Sequence, residues 1–214
     1  MTAERPWVYY FSDPPPPGCE DLKALLGGKG ASLKRMTLAG LHVPPGFTLS
    51  TDCCRRYFDL ERTWPEGLED EVRENLRRLE ADTGRTFGRG DRPLLVSVRS
   101  GAARSMPGMM DTLLNCGLHP LLAGDLGDSP EFWRLYLEFI VALAGTVDGI
   151  RPEAFAQAEV DLEAAPGRAE AEAYLRLYRR LTGKAFPTEP WDVLAACINA
   201  VFDSWLNERA VAYR

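Results

Sequence analysis

The sequence has very little histidine, no paired cysteine motif, no long apolar run and no excess of positive charge. Its two histidines, His42 and His119, lie in turn-like contexts with no cysteine or second histidine at metal spacing. Both read as structural or solvated rings, not ligands. The cysteines, Cys19, Cys53, Cys54, Cys116 and Cys197, are odd in number and scattered, without the CxxC spacing of a zinc or redox centre. Free thiols in a reducing compartment are the expectation. No apolar stretch approaches the ~18–20 residues that cross a bilayer, so no membrane insertion is expected. The opening "MTAERPWVYYF" carries an acid and a proline where an export signal needs a basic start and an apolar core. The expected location is therefore cytoplasmic. With a formal net charge of -6, no global field recruits nucleic acid, and any bound anion must be captured by a local site.

What is present is ordinary globular composition, 45% hydrophobic and 26% charged over 214 residues, enough for one large domain or two small lobes. "WVYYF" at 7–11 predicts a strand, stopped by "DPPPPG" because proline fixes φ and lacks the ladder donor. Leu22, Leu25 and Leu26 lead into "GGKG", and Ala31, Leu33, Met36 and Leu38 predict a short helix ending at Gly40. That places Lys29 in a glycine turn just before a helix. "VPPGFTLST" reads as a turn feeding a strand, and 52–63 as helical. Leu68, Val72, Leu76 and Leu79 recur at helical spacing among charges, which predicts an amphipathic helix over 66–79.

"RPLLVSVRS" is the strongest strand signal. Ser129-Pro130-Glu131 is a helix start, with a capping serine, proline at the first helical position and an early acid. Phe132, Tyr136, Phe139, Ile140 and Leu143 form its expected buried stripe. The region 152–183 predicts a helical hairpin broken at Pro166-Gly167. After Pro190, the residues Trp191, Leu194, Ala195, Ile198, Val201, Phe202 and Trp205 hold one helix face. Separated strands among many helices give an α+β (α/β-like) class.

Two stretches can carry chemistry. Glycines around Lys29 in "LLGGKG" let backbone amides approach a phosphate while the ammonium adds charge, although the same glycines also make a plain turn. It is not a Walker A loop, since Gly30 stands where that motif needs Ser or Thr, and GxGxxG also fails. In "VSVRSGAARSMPGMMDTLLNCGL", Arg99 at a strand end presents a planar donor fork to a phosphoryl group or pairs with a carboxylate at the sheet edge. Met106, Met109 and Met110 around Pro107-Gly108 follow neither helix nor strand period, which suits a mobile apolar flap. No GxSxG elbow occurs, and the carboxylates do not single out an acid/base pair.

Together with "LLGGKGASLKRMTLAGLHVPPGFTLST" and "FPTEPWDVLAACINAVFDSWLNERAVAYR", that stretch resembles the N-terminal nucleotide-binding region of the pyruvate, phosphate dikinase family. The resemblance runs in order over nearly the whole chain and is weakest near 150–183. "SMPGMMDTLLN" discriminates, because relatives that make phosphoenolpyruvate from ATP and water, or phosphorylate antibiotics, share the VRS arginine but not the methionine-rich loop. It implies a partial ATP-grasp fold, with 1–214 as the N-terminal part and a helical insertion over about 129–206. It implies that Lys29 and Arg99 contact ATP phosphates, with Arg99 catalytic, while Ser100, Gly101 and the loop of Ser105, Met106, Pro107, Gly108, Met109, Met110 and Asp111 cover them. Magnesium ligands are expected in a second lobe beyond "AVAYR", along with phosphohistidine and pyruvate domains as partners. The chain then reads as part of a longer dikinase; the alternative is a free-standing, non-catalytic module binding nucleotide or a partner.

Overall fold

In the computed structural model the residues described are 5–101, 112–158 and 167–206. They form seven α-helices and two two-stranded antiparallel sheets, in keeping with the α+β class, and divide into two compact units.

The first unit takes residues up to Gly84 and resumes at Ser100. Its sheet pairs β1 (Val8–Tyr10) with β2 (Phe47–Leu49), in register Val8 to Leu49 and Tyr10 to Phe47. Helix α1 (Leu22–Leu38) begins at Asp21, whose carboxylate accepts from the amides of Lys23 at 2.8 Å and Ala24 at 3.0 Å. Helix α2 (Thr51–Asp59) is capped by Ser50 Oγ, which accepts from Cys53 N. Helix α3 (Leu68–Thr83) carries Glu71, whose Oε2 accepts from both Trp7 N and Val8 N at 2.8 Å. That carboxylate occupies amide donors at the start of β1, and Leu68, Val72, Leu76 and Leu79 are buried as the periodicity predicts.

Helix α1 departs from expectation. The helix does not begin after the glycines but runs through them, with Gly27 as a non-helical break at φ 69, ψ 173. Lys29 therefore lies in the first turn of the helical segment that resumes after the break at Gly27. The predicted apolar stripe holds only at Ala31: Leu33 is half-buried and Met36 and Leu38 are exposed, while Gly27, Gly30 and Lys34 are buried. Small residues face inward because the neighbours come so close. A Cβ on Gly30 would stand 2.7 Å from Thr48 Cγ2 of β2.

The second unit holds residues from Arg85 to Arg99 and the helical region after the hairpin. Strand β3 (Val96–Arg99) pairs with β4 (Thr112–Cys116) through Arg99–Thr112, Val98–Leu113 and Val96–Cys116. Two residues of β4, Leu114 and Asn115, oppose Ser97 alone, and Asn115 takes φ 57 to absorb the extra residue. The bulge keeps Leu113 and Cys116 on the core side, both fully buried, and leaves Leu114 exposed. Beyond α4 (Leu122–Leu126), helix α5 (Pro130–Asp148) starts at Ser129, whose hydroxyl accepts from Phe132 N at 3.2 Å. Its predicted stripe is buried in full.

The first arm of the predicted hairpin is a 3-10 helix at Pro152–Gln157, and the second is α6 (Arg168–Thr182). Helix α7 (Pro190–Asp203) buries Leu194, Ile198, Val201 and Phe202 of the predicted face, leaves Trp191 and Ala195 half-buried and ends before Trp205, and it buries Val193, Cys197 and Ala200 as well. Helices α5, α6 and α7 and strand β4 enclose one core, in which Tyr136, Ile140, Leu143, Cys116 and Cys197 are almost fully buried. Among the described residues no helix is long and apolar enough to cross a membrane, and none of the five cysteines is in a disulfide.

Candidate functional site

The break at Gly27 has an immediate neighbour. A Cβ placed there would lie 1.3 Å from the carbonyl oxygen of Gly101, so the residue after the VRS arginine and serine rests directly on the glycine turn. From the other side, a Cβ on Gly101 would meet Leu26 O at 3.4 Å, Gly30 N at 3.8 Å and Lys29 Cβ at 4.0 Å. Two sequence-predicted segments far apart in the chain are thus in backbone contact, and only hydrogen at Gly27 permits it, whereas a methyl at Gly101 would make ordinary contacts. Lys29 is exposed beside this contact, and Ser100 is buried at 7%. Arg99 belongs to the second unit, exposed at the C-terminal end of β3. Ser105, Met106, Pro107, Gly108, Met109, Met110 and Asp111, including the flap expected there, lie outside the described residues.

Helix α1 also carries a residue of a charged cluster that sequence reasoning missed. Lys34, 1% exposed, donates from Nζ to the carbonyl of Tyr10 at 2.6 Å. Burial pushes its amine below the ordinary lysine value, against the pull of nearby Asp13. Arg78 of α3 grips both oxygens of Asp13 at 2.9 and 2.7 Å. Its guanidinium also lies 4.2 Å from the centre of the Tyr10 ring. The hydrogen bonds from Arg78 hold the Asp13 carboxyl below its usual value despite partial burial. Tyr10 donates its hydroxyl to Asp82 at 2.7 Å, and burial followed by that bond raises its phenol well above the ordinary value. This network ties α1, β1 and α3 together and fixes the helix that displays Lys29. One signal was available: Lys34 falls four residues after Gly30 and three after Ala31, on the face the glycines mark.

The histidines behave as expected. His119, 5% exposed, donates from Nε2 to Gly88 O at 2.8 Å, and His42 is exposed. Among the described residues no group of three or more His, Cys, Asp or Glu could hold a metal ion.

The family model for the pyruvate phosphate dikinase AMP/ATP-binding domain matches residues 60–214. The chain belongs to this family. It is 41% identical over 224 residues to a pyruvate, phosphate dikinase of Rhizobium meliloti, aligning 97% of this chain with 25% of that protein. A pyruvate, phosphate dikinase of Giardia intestinalis is 42% identical over 233 residues, covering 100% of this chain and 26% of the relative. A chloroplastic pyruvate, phosphate dikinase of Flaveria pringlei is 40% identical over 229 residues, covering 100% and 24% respectively. The dikinase-family chain thus spans about a quarter of the length of these relatives.

Proposed function

We propose that this chain is the ATP-binding N-terminal portion of a pyruvate, phosphate dikinase, which converts ATP, pyruvate and phosphate to AMP, phosphoenolpyruvate and diphosphate. The observation that carries this reading is the seating of Gly101 on the Gly27–Gly30 turn, beside Lys29. Amides in the first turn after a helix break lack a regular partner four residues back, and such groups favour anions. Lys29 adds a mobile point charge and Arg99 a planar fork suited to a phosphoryl group. Arg99 takes the catalytic role by stabilising charge on the transferred phosphoryl oxygens, while Lys29, Ser100, Gly101 and the 105–111 loop hold the nucleotide. In this reading the domain is a partial ATP-grasp fold with its helical insertion over about 129–206, working beside the remaining dikinase domains. The free thiols support a reducing, cytoplasmic setting. Among the described residues no cluster of carboxylates could hold a magnesium ion, and its ligands are assigned to the second lobe.

These 214 residues by themselves are expected to bind ATP weakly and to make no product, because the family resemblance assigns the acceptor histidine and the magnesium carboxylates to other domains. Titration calorimetry with ATP, on this chain and on Lys29→Ala and Arg99→Ala, tests the reading. Each substitution removes a charge-assisted contact and is expected to weaken binding roughly 10-fold or more without lowering the melting temperature. Phosphoenolpyruvate formed by the isolated chain and abolished by Arg99→Ala would refute the division of labour. Unchanged ATP affinity in both variants would refute the site. The second reading, a free-standing module, would be favoured by ATP binding that persists with no activity when the remaining domains are supplied in trans.

A further inference from the structure

A cavity of about 240 Å3 lies in the second unit, between the segment before α4 and helices α5 and α6. Trp133 and Tyr136 of α5 supply its aromatic lining, Leu121 and Leu175 its aliphatic lining, and Arg168 and Glu172 of α6 its charges. Gly167 brings the start of α6 so close to α5 that a Cβ there would stand 2.6 Å from Trp133 Cβ. Arg168 follows directly, with its guanidinium 5.4 Å from the centre of the Trp133 ring. Asp128 holds both groups, accepting from Trp133 Nε1 and pairing with Arg168 Nη2 at 3.0 Å. Ring and cation are thus fixed in advance of any ligand.

Two features of the lining do not fit a packing role. Leu121 is 71% exposed, the most exposed large apolar side chain among the described residues, and it stands at the cavity. Tyr136 is 0% exposed, yet its hydroxyl has no hydrogen-bond partner in the folded chain. A buried hydroxyl left unpaired costs free energy that a phenylalanine in the same place would avoid.

We propose that this cavity binds a free α-amino acid whose apolar side chain is about the size of leucine's or phenylalanine's. The volume falls below the ~300–1,000 Å3 of sites for drug-sized molecules, so the ligand is small. Arg168 and Glu172 are four residues apart on one face of α6, which sets opposite charges side by side at an apolar lining. That arrangement matches a zwitterion. The ligand carboxylate pairs with guanidinium donors that Asp128 does not take, and the ammonium pairs with Glu172, whose carboxylate stands 4.0 Å from Arg176. The side chain enters against Trp133, Leu121 and Leu175 and takes the exposed leucine out of water. A polar group of the ligand gives the Tyr136 hydroxyl its partner. A purely acidic or purely basic ligand would leave one of the two helix charges opposed. None of this depends on the nucleotide reading.

The test is titration calorimetry of the 214-residue chain with L-leucine and with L-phenylalanine, alongside thermal melting at millimolar ligand. Both are expected to give saturable heat and to raise the melting temperature. N-acetyl-leucine and leucinamide, each lacking one charge, are expected to bind about 10-fold more weakly or worse. Glu172→Gln and Arg168→Gln should each weaken leucine binding by about 10-fold or more. Because Arg168 also touches Asp128 and Trp133 and its loss can loosen the fold, the exposed Glu172→Gln is the second variant, expected to melt like the parent without ligand. Tyr136→Phe keeps the ring and should weaken leucine binding while leaving the ligand-free chain at least as stable. No saturable heat with either amino acid overturns the proposal. So does N-acetyl-leucine or leucinamide binding as tightly as leucine, or a leucine affinity that Glu172→Gln leaves unchanged.

Discussion

Replacing Gly27 with alanine tests the close approach on which the candidate site is built. The residue sits at φ 69, ψ 173, a region open essentially to glycine alone, and holding alanine there costs roughly 1–3 kcal/mol. The new methyl would also fall 1.3 Å from Gly101 O, against ordinary contact near 3.5 Å, so the Ser100–Gly101 backbone must shift by about 2 Å. Part of that strain is relieved by movement, and the sum is a loss of about 2–4 kcal/mol. For a chain of this length each kcal/mol lowers the melting temperature by roughly 2–4 °C, so a drop of about 5–15 °C is expected in thermal unfolding followed by circular dichroism. ATP binding should fall further than stability alone explains, because the displaced segment carries Ser100 and Gly101 beside Lys29. Calorimetry below the melting transition separates the two effects. A variant melting within about 1 °C of the parent, with unchanged ATP affinity, would show that the glycine turn and Gly101 do not touch.

Two predictions concern pH. The carboxyl of Asp13 is held below its ordinary 3.8 chiefly by Arg78, so its contribution is present above that value and lost as pH falls through the lower folded value. Because the pair is partly exposed it is worth less than about 1 kcal/mol; Asp13→Asn should flatten the stability curve below pH 4, and an unchanged acid limb in urea titrations would contradict this. At the alkaline end, burial pushes the Cys53 thiol up from 9.0 to about 12. The unfolded chain then releases that proton first, so stability falls between pH 9 and 12, and Cys53→Ala should make the slope shallower in the same titration.

Much of the molecule was legible before any coordinates. The start of α5 at Ser129-Pro130, the buried stripe behind it, the course of α3 and α7 and the arrest of β1 by Pro14–Pro17 all follow from caps, periodicity and proline. These signals are short-range, so neighbouring residues suffice to set them. The family resemblance was equally legible, since "GGKG" and "VRSGAARSMPGMMD" are contiguous motifs. What the residues could not settle by themselves were the features that need a partner from elsewhere. Gly27 breaks α1 where Gly101 lies against it, and Lys34 turns inward because the carbonyl of Tyr10 receives its ammonium. Asn115 absorbs an extra residue so that Cys116 reaches the core. Local pattern determined where helices and most strands form; tertiary contact decided which helix face is buried, that Gly27 must remain glycine and which charged groups turn inward, because those outcomes depend on atoms brought together only by the folded chain.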